Sequence, residues 1–304
     1  FGSIECRLKG EIQSQSGFDE INILLDENRK TLKLNNKVIY KTSKVSGRYN
    51  VVTFLPTDID LVKGSPQVRR RYLDAVICSV DQAHLRDLKL YQRALSQRNA
   101  ILAKSSSLTL DKIEVWDEQL AEIGSQVISR RLSFINKLQP VLNKIYQQTS
   151  GLDQEIGIHY QSSIDLESNI EESFKDELKL KFEQDKRRFH TTVGPHRDKL
   201  SFSLSDKDAS IYSSQGEAKN LALALKVSEI EMINQFLGRT PILLLDDITS
   251  ELDSNRKKFL FKLLQNFTGQ IFITTTSMKE ILYKGPIRGF HIKDRKVRQK
   301  DIQT

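Results

Sequence analysis

The segment Pro241-Ile-Leu-Leu-Leu-Asp-Asp-Ile-Thr-Ser-Glu-Leu-Asp253 constrains this chain more than any other. Its apolar run, residues 242–245, has no polar alternation, so it reads as a strand covered on both faces, the kind found in parallel α/β sheets. Ligands of such sheets collect beyond the carboxyl ends of the strands, and Asp246 and Asp247 stand at that end. Two adjacent carboxylates there suit nucleotide chemistry, one holding Mg2+ and the other orienting water or sensing the γ-phosphate. A plain sheet whose acidic residues cap the following helix would carry the same residues without that chemistry.

The flanks support the nucleotide reading. Upstream, Tyr212-Ser-Ser-Gln-Gly-Glu-Ala-Lys-Asn-Leu-Ala-Leu-Ala-Leu-Lys226 runs from a polar, glycine-containing turn straight into a helix. A helix N-terminus offers free N–H groups and a partial positive charge, a ready phosphate site. Downstream, residues 269–276 read as a second short apolar strand ending in hydroxyls. Between the two, Leu252, Phe259, Leu260, Leu263 and Leu264 recur at helical spacing. Strand, crossover helix and strand make the unit from which parallel sheets are built.

Ser214-Gln215-Gly216-Glu217 resembles the signature motif of ABC-type ATPases, residues 242–247 resemble their Walker B motif, and Ser250-Glu-Leu-Asp253 resembles their D-loop. Gly194-Pro-His-Arg-Asp198, just before a predicted strand over 199–204, resembles the GPHRDD segment of the RecF family. Residues 54–74 are similar to that family's lobe-junction segment. On these residues, in this order over nearly the whole chain, the protein is identified as a RecF-family member. The resemblance implies an α/β fold in which a split ABC-type ATPase lobe carries an inserted helical lobe built on a short helical hairpin. Residues 1–55 would be the remainder of the first part of the ATPase lobe and 56–190 the helical lobe. Residues 191–304 would return to the ATPase lobe with the signature, Walker B and D-loop.

By the same resemblance, Asp246 would hold Mg2+ and Asp247 would orient the attacking water. An Asp at that position, one methylene shorter than the more common Glu, implies slow hydrolysis. Ser214 and Gly216, with Gln215 and Glu217 in the same motif, would face the γ-phosphate of ATP bound to the opposite subunit of a nucleotide-sandwich dimer. Ser250 and Asp253 would lie at that dimer interface. Thr276 matches the place of a switch residue, although a strand-capping hydroxyl reads equally well there. The implied function is a cytoplasmic, ATP-gated clamp on duplex DNA. It would mark gap junctions for recombinational repair, support stalled forks and the SOS response, and work with RecR-type and RecO-type mediator proteins. The alternative is a non-hydrolysing DNA-binding scaffold that keeps the ATPase fold. One departure bears on that choice: none of the 14 glycines is followed by Lys, so the chain has no P-loop. The family carries its P-loop ahead of the region that Phe1 onward matches, so this chain is expected to be an N-terminally truncated fragment that binds ATP poorly.

The net charge of +8 points to a polyanionic partner. Candidate phosphate contacts are Lys63, Arg69, Arg70 and Arg71 on either side of a Gly-Ser-Pro turn, and Arg86, Lys89, Arg93 and Arg98 on a predicted helix. The Arg triplet could instead pair with carboxylates of its own lobe or help sense nucleotide. The basic run 293–300 reads as a solvated tail. No run approaches the length of apolar sequence that a membrane-spanning helix requires. Cys6 and Cys78 are not spaced for zinc and do not make a disulfide framework, which suits a reducing cytoplasm. His84, His159, His190 and His291 are dispersed without metal spacing. His196 reads equally as a structural residue of a tight turn or as a contact to nucleotide or partner.

Short β-like stretches at 20–25, 31–34 and 51–55 are punctuated by Gly17, Asn35-Asn36 and Gly47. Without the first strand, such a lobe is expected to expose a sheet edge. Leu85, Leu88, Leu95 and Leu102 then mark one helix face, and Ser105-Ser-Ser107 a loop. Trp116, Leu120, Ile123, Val127, Phe134, Leu138, Val141 and Ile145 mark a heptad-like seam that Pro140 should bend or end. Trp116 is expected in the core rather than as a base-stacking platform. Residues 156–162 read as a strand, and Ile170, Phe174, Leu178 and Phe182 as one helix ending near Arg188.

Overall fold

The computed structural model describes residues 5–14, 17–27, 29–40, 47–104, 109–152, 154–247, 252–294 and 296–301. They fall into two compact units, Phe1–Tyr49 and Asn50–Thr304. The first is an antiparallel meander of β1 (Glu5–Ser14), β2 (Gly17–Asp26), β3 (Lys30–Leu34) and β4 (Lys37–Val38). The pairing of β1 and β2 runs without a break from Glu5 opposite Asp26 to Ser14 opposite Gly17. Asn35 and Asn36 take φ of 48° and 62°, the left-handed pair a two-residue hairpin needs, which Asn tolerates better than most residues. Asp19, 2% exposed, anchors this unit by accepting from Asn35 Nδ2, from Arg48 Nε at 2.8 Å and from the Tyr49 hydroxyl.

The second unit opens with β5 (Val51–Phe54), a 3-10 turn (Pro56–Ile59), α1 (Asp60–Lys63), α2 (Pro66–Val80) and α3 (Gln82–Lys104). Next come α4 (Glu114–Ser150), β6 (Ile156–Gln161), α5 (Ile170–Leu180), α6 (Phe182–Arg188), β7 (Lys199–Leu204), β8 (Lys207–Asp208), α7 (Ala209–Tyr212) and α8 (Gln215–Leu237). It closes with β9 (Ile242–Asp246), α9 (Ser254–Gln265), β10 (Ile271–Thr274), β11 (Arg288–Lys293) and β12 (Lys296–Asp301). Strands β10, β9 and β5 form a parallel sheet with β9 in the centre, Leu243 lying between Ile271 and Val52. The expected strand–helix–strand unit is therefore present. Strands β6, β7 and β8 make a separate antiparallel sheet.

The expectation that β9 is covered on both faces is corrected. Leu243 and Leu245 are buried, with Val52 and Phe54, in one core with Leu221 and Leu225 of α8 and Leu260 and Leu264 of α9. On the opposite face Leu244 is 36% exposed, Val51 43% and Phe272 51%. Among the described residues the apolar run thus has helices over one side, and lack of alternation alone could not tell one covered face from two.

A second cluster holds Tyr91, Ala94 and Leu95 of α3 against Leu120, Ala121 and Ile128 of α4 and Phe174 and Leu178 of α5. Leu102 meets Ile113 and Arg98 meets Asp117, while Tyr91 stands against Gly124, so α3 and α4 form an antiparallel hairpin. Gly124 is required there, because a Cβ would come within 2.4 Å of the Phe174 ring. Helix α4 continues past Pro140, 37 residues in all, so the proline does not end it. Proline removes the hydrogen bond to the carbonyl of Asn136, but Asn136 and Pro140 both lie on the exposed face, where water can take that carbonyl. The helix expected over 170–188 breaks at Lys181, which tucks Phe182 beside Leu102 and Ile113. Trp116 is half-buried rather than central. Among the described residues, no helix is long and apolar enough to cross a membrane.

Candidate nucleotide-binding site

Residues 213–217 are shaped before any ligand arrives. Ser214 takes extended backbone angles and caps the 23-residue α8. Its Oγ accepts from the Glu217 N–H, and Glu217 Oε2 accepts in return from the Ser214 N–H at 2.8 Å and Oγ at 2.7 Å, a reciprocal capping box. The bond from the Ser214 hydroxyl is the main reason that the Glu217 carboxyl lies below its ordinary pKa. Just upstream, Lys63 Nζ donates to three backbone carbonyls, of Ser213 at 2.6 Å, Ser210 at 3.2 Å and Ala209 at 3.3 Å. The Ala209 carbonyl also accepts from the Ser213 N–H, so Lys63 reinforces the end of the one-turn α7. Downstream, Arg256 Nη2 donates to the Gly216 carbonyl at 2.9 Å. Ser214 and Gln215 stay exposed at the mouth of α8.

The acidic end is arranged more sparsely. Asp246 is exposed, and its Oδ1 accepts from Thr274 Oγ1 at 2.6 Å. Thr274 Oγ1 also accepts from the Asp247 N–H at 3.1 Å. Asp247 has φ of 44°, a left-handed turn that takes the chain off the strand. Thr276, read from the sequence as either a switch residue or a strand-capping hydroxyl, is exposed and lies past the end of β10. Thr274 is the one that reaches the acid, because the parallel register sets it directly beside Asp246. That signal was available in principle, but only once the two strands were aligned. Asp253 caps α9 by accepting from the Arg256 N–H and also accepts from Arg256 Nη1 at 2.6 Å. Ser250 lies outside the described residues. Asp246 and Thr274 offer hard oxygen donors of the kind Mg2+ prefers, so the residues present fit the ion implied by the resemblance. Among the described residues, no three His, Cys, Asp or Glu side chains gather into a metal site of their own.

The basic candidates divide sharply. Arg69 is 6% exposed and donates to the carbonyls of Leu200 at 2.6 Å, Gly64 at 2.8 Å and Val62 at 3.1 Å. Arg70 donates to the Asp198 carbonyl at 2.7 Å, and Lys63 holds the turn described above. Arg71 is exposed. On α3, Arg86, Lys89 and Arg93 are exposed at spacings that share one face. Arg98 is fully buried, bonded to Asp117 at 2.5 Å, Asp185 at 2.6 Å and Thr191 at 3.0 Å. The phosphate contacts expected of Arg69 and Arg98 are corrected accordingly, because a guanidinium inside the fold and bonded to its own chain does not reach DNA.

Segment 194–198 proves to be a joint. Asp198 accepts from Tyr160 and from Ser162 Oγ at 2.8 Å, and Arg131 donates to the Pro195 carbonyl while also gripping Asp74. His196 Nε2 faces the Thr191 carbonyl at 3.1 Å and therefore carries the proton, leaving Nδ1 to accept from the Tyr91 hydroxyl at 2.8 Å. Burial first, aided by Arg197 and Arg70, pushes its pKa down to about 4. Of the two alternatives for His196, the structural one holds.

This fold, a parallel sheet ending in paired carboxylates, a prebuilt helix-capping turn and a helical hairpin inserted in sequence before it, is an ABC-type ATPase fold of the SMC-head class. An SMC head from Pyrococcus furiosus superposes with a TM-score of 0.52 at 16% identity over 98% of this chain and 78% of that one, a likeness of fold alone. No family model matches the chain. The DNA replication and repair protein RecF of Streptococcus equi subsp. zooepidemicus is 38% identical over 283 residues, 92% of this chain and 76% of the relative. That of Geotalea uraniireducens is 36% identical over 289 residues, 94% and 79%. A structure described as the recombination mediator protein RecF–ATP in the RecFOR pathway superposes with a TM-score of 0.89 at 32% identity, covering 99% of this chain and 81% of that one. The chain belongs to the RecF family of DNA replication and repair proteins.

Proposed function

We propose that this chain is the ATP-responsive, DNA-binding body of a RecF-type repair clamp. The observation that carries the reading is the pairing, in one chain, of a signature turn already shaped for phosphate with an acid-and-hydroxyl pair at the end of the central parallel strand. Asp246 and Thr274 would hold the nucleotide's Mg2+, which supplies charge neutralisation on the phosphates. Asp247 would orient the attacking water. Ser214, Gln215 and Gly216, at the positive end of α8, would receive the γ-phosphate of ATP held by a second copy, with Ser250 and Asp253 at the same interface. Residues 56–190 would act as the helical lobe between the two parts of the ATPase lobe. DNA phosphates would meet Arg71, Arg86, Lys89 and Arg93, giving affinity without sequence preference. RecR-type and RecO-type mediators at gap junctions, fork maintenance and a contribution to the SOS response complete the reading.

The test is ATP-dependent dimerisation and DNA-stimulated ATP hydrolysis by the full-length protein. Asp247→Asn should lower turnover by roughly a hundredfold or more while ATP binding persists. A full-length protein that neither dimerises with ATP nor hydrolyses it would overturn the clamp. A second reading is a DNA-binding scaffold that keeps the ATPase fold and does not hydrolyse ATP. It predicts DNA affinity indifferent to nucleotide.

A further inference from the structure

The side chain of Arg256 bridges two parts of the candidate site that the sequence keeps about forty residues apart. Its Nη1 holds Asp253 Oδ2 at 2.6 Å and its Nη2 holds the Gly216 carbonyl at 2.9 Å. Asp253 in turn fixes the first turn of α9 through the Arg256 backbone N–H at 2.9 Å. The guanidinium is planar and rigid, so two bonds from its two terminal nitrogens fix the distance between the groups they hold. The Arg256 side chain is 18% exposed against 56% for Asp253, so the bridge runs from a half-buried end at Gly216 to a solvent-facing end at Asp253. A Cβ at Gly216 would stand 3.4 Å from Arg256 Nη2, an ordinary van der Waals contact. On the far side of Ser214 the backbone is already fixed by Lys63 through the carbonyls of residues 209, 210 and 213. The turn therefore has Lys63 on one side and Arg256 on the other, with the Ser214–Glu217 capping box between them.

We propose that Arg256 is a positioning residue that makes Asp253 and the signature turn move as one body. A displacement of Asp253 is passed through the guanidinium to the Gly216 carbonyl and so to the N–H groups at the mouth of α8. This rests on the nucleotide-sandwich reading above. In that arrangement Asp253 lies at the dimer interface and the turn faces the partner's nucleotide, so closure of the interface would set the turn's geometry. Arg256 acts here on the nucleotide bound by the other copy, not on its own.

The experiment uses the full-length protein with Arg256→Ala, Arg256→Lys and Asp253→Asn. Arg256→Ala should leave ATP affinity of the monomer within about twofold. It should lower turnover of the assembled protein by roughly ten- to a hundredfold, the scale of effect that a small misplacement of a reacting group produces. Arg256→Lys should fall between, because a single ammonium keeps the charge but not the two-pronged span. The decisive arm mixes two inactive proteins, Arg256→Ala and Asp247→Asn. In a mixed dimer one site draws its carboxylate from the first copy and its signature turn from the second, both intact, so up to half of the activity should return. No recovery would mean that Arg256 serves its own copy's site or is needed only for folding, and the proposal would fall.

Amide hydrogen exchange provides a readout free of turnover. Both Arg256→Ala and Asp253→Asn should speed exchange across residues 213–217 while leaving β6 and β7 unchanged. If exchange at 213–217 does not respond to Asp253→Asn, the coupling is refuted even where the wild type hydrolyses ATP. If the wild type does not hydrolyse ATP, the functional reading fails, and exchange still decides the coupling.

Discussion

Two populations of basic residues share this chain, and they behave as different materials. Lys63, Arg69, Arg98, Arg131 and Arg256 point inward and hold carbonyls and carboxylates of their own fold. Arg71, Arg86, Lys89 and Arg93 point outward into solvent. The contrast is clearest on α3, where Arg93 and Arg98 lie five residues apart and on opposite sides of the helix. Positive charge in a sequence thus reports a need for an anion without saying whether that anion belongs to the protein or to a partner. An inward cation is committed to architecture, and its removal leaves buried acceptors stranded. An outward one is available to a polyelectrolyte, and its removal leaves the fold alone.

The comparison can be broken most forcefully at Arg98. Arg98→Met should destabilise the protein by about 3–5 kcal/mol, because Asp117 and Asp185 remain buried without their cation. Urea denaturation measures it, and an effect under 1 kcal/mol would place Arg98 in the wrong population. Next in size is a pH effect at His196, beside the half-buried Arg70 and the exposed Arg197. The pKa of His196 is lowered from 6.5 to about 4 on folding, so the unfolded chain binds the proton more readily. Stability from this site is complete above pH 6.5 and is lost as pH falls toward 4, by up to about 3 kcal/mol. Stability measured against pH for wild type and His196→Gln should diverge over that window, with the variant flatter.

Lys63→Met keeps the aliphatic stem but abandons three carbonyls, a loss of roughly 1–3 kcal/mol. It should also loosen residues 209–214, visible as faster amide exchange. The smallest effect on stability belongs to the outward set. Replacing Arg86, Lys89 and Arg93 together by Gln should change stability by less than about 0.5 kcal/mol per site. The same change should lower the dependence of DNA affinity on log salt by about one per lost phosphate contact. An unchanged slope would remove α3 from the DNA-facing surface.

Much of this was legible beforehand. The apolar run before Asp246, the polar turn before α8 and the leucines of α9 gave the parallel unit, because each is a local pattern with one physical cause. Arg98 was legible too: Tyr91, Ala94, Leu95, Arg98 and Leu102 share one helical stripe, so periodicity already turned it inward, but charge was weighed above register. Other features were not available from local pattern. Thr274 was hidden because its role depends on alignment with a strand 28 residues away. The work of Lys63 and Arg256 was hidden because their partners are backbone carbonyls, which every residue carries and no motif records. The open face of the parallel sheet was hidden for a related reason, since a run such as 242–245 says what a strand prefers and not what the fold supplies to cover it.

Helix α4 carries a consequence of a mechanical kind. Its 37 residues span about 55 Å, and it contributes Leu120 and Ile128 to the hairpin cluster but Leu142 and Tyr146 to the core that contains α8. It is a single beam built into both cores. A tilt of about 5° at the α8 end would sweep the opposite end through about 5 Å over that length. Pro140, one missing hydrogen bond within the stretch of α4 that packs on the α8 core, is the point at which the beam is most compliant. A displacement too small to notice at the signature turn therefore becomes, at the tip of the hairpin, a movement larger than a water molecule.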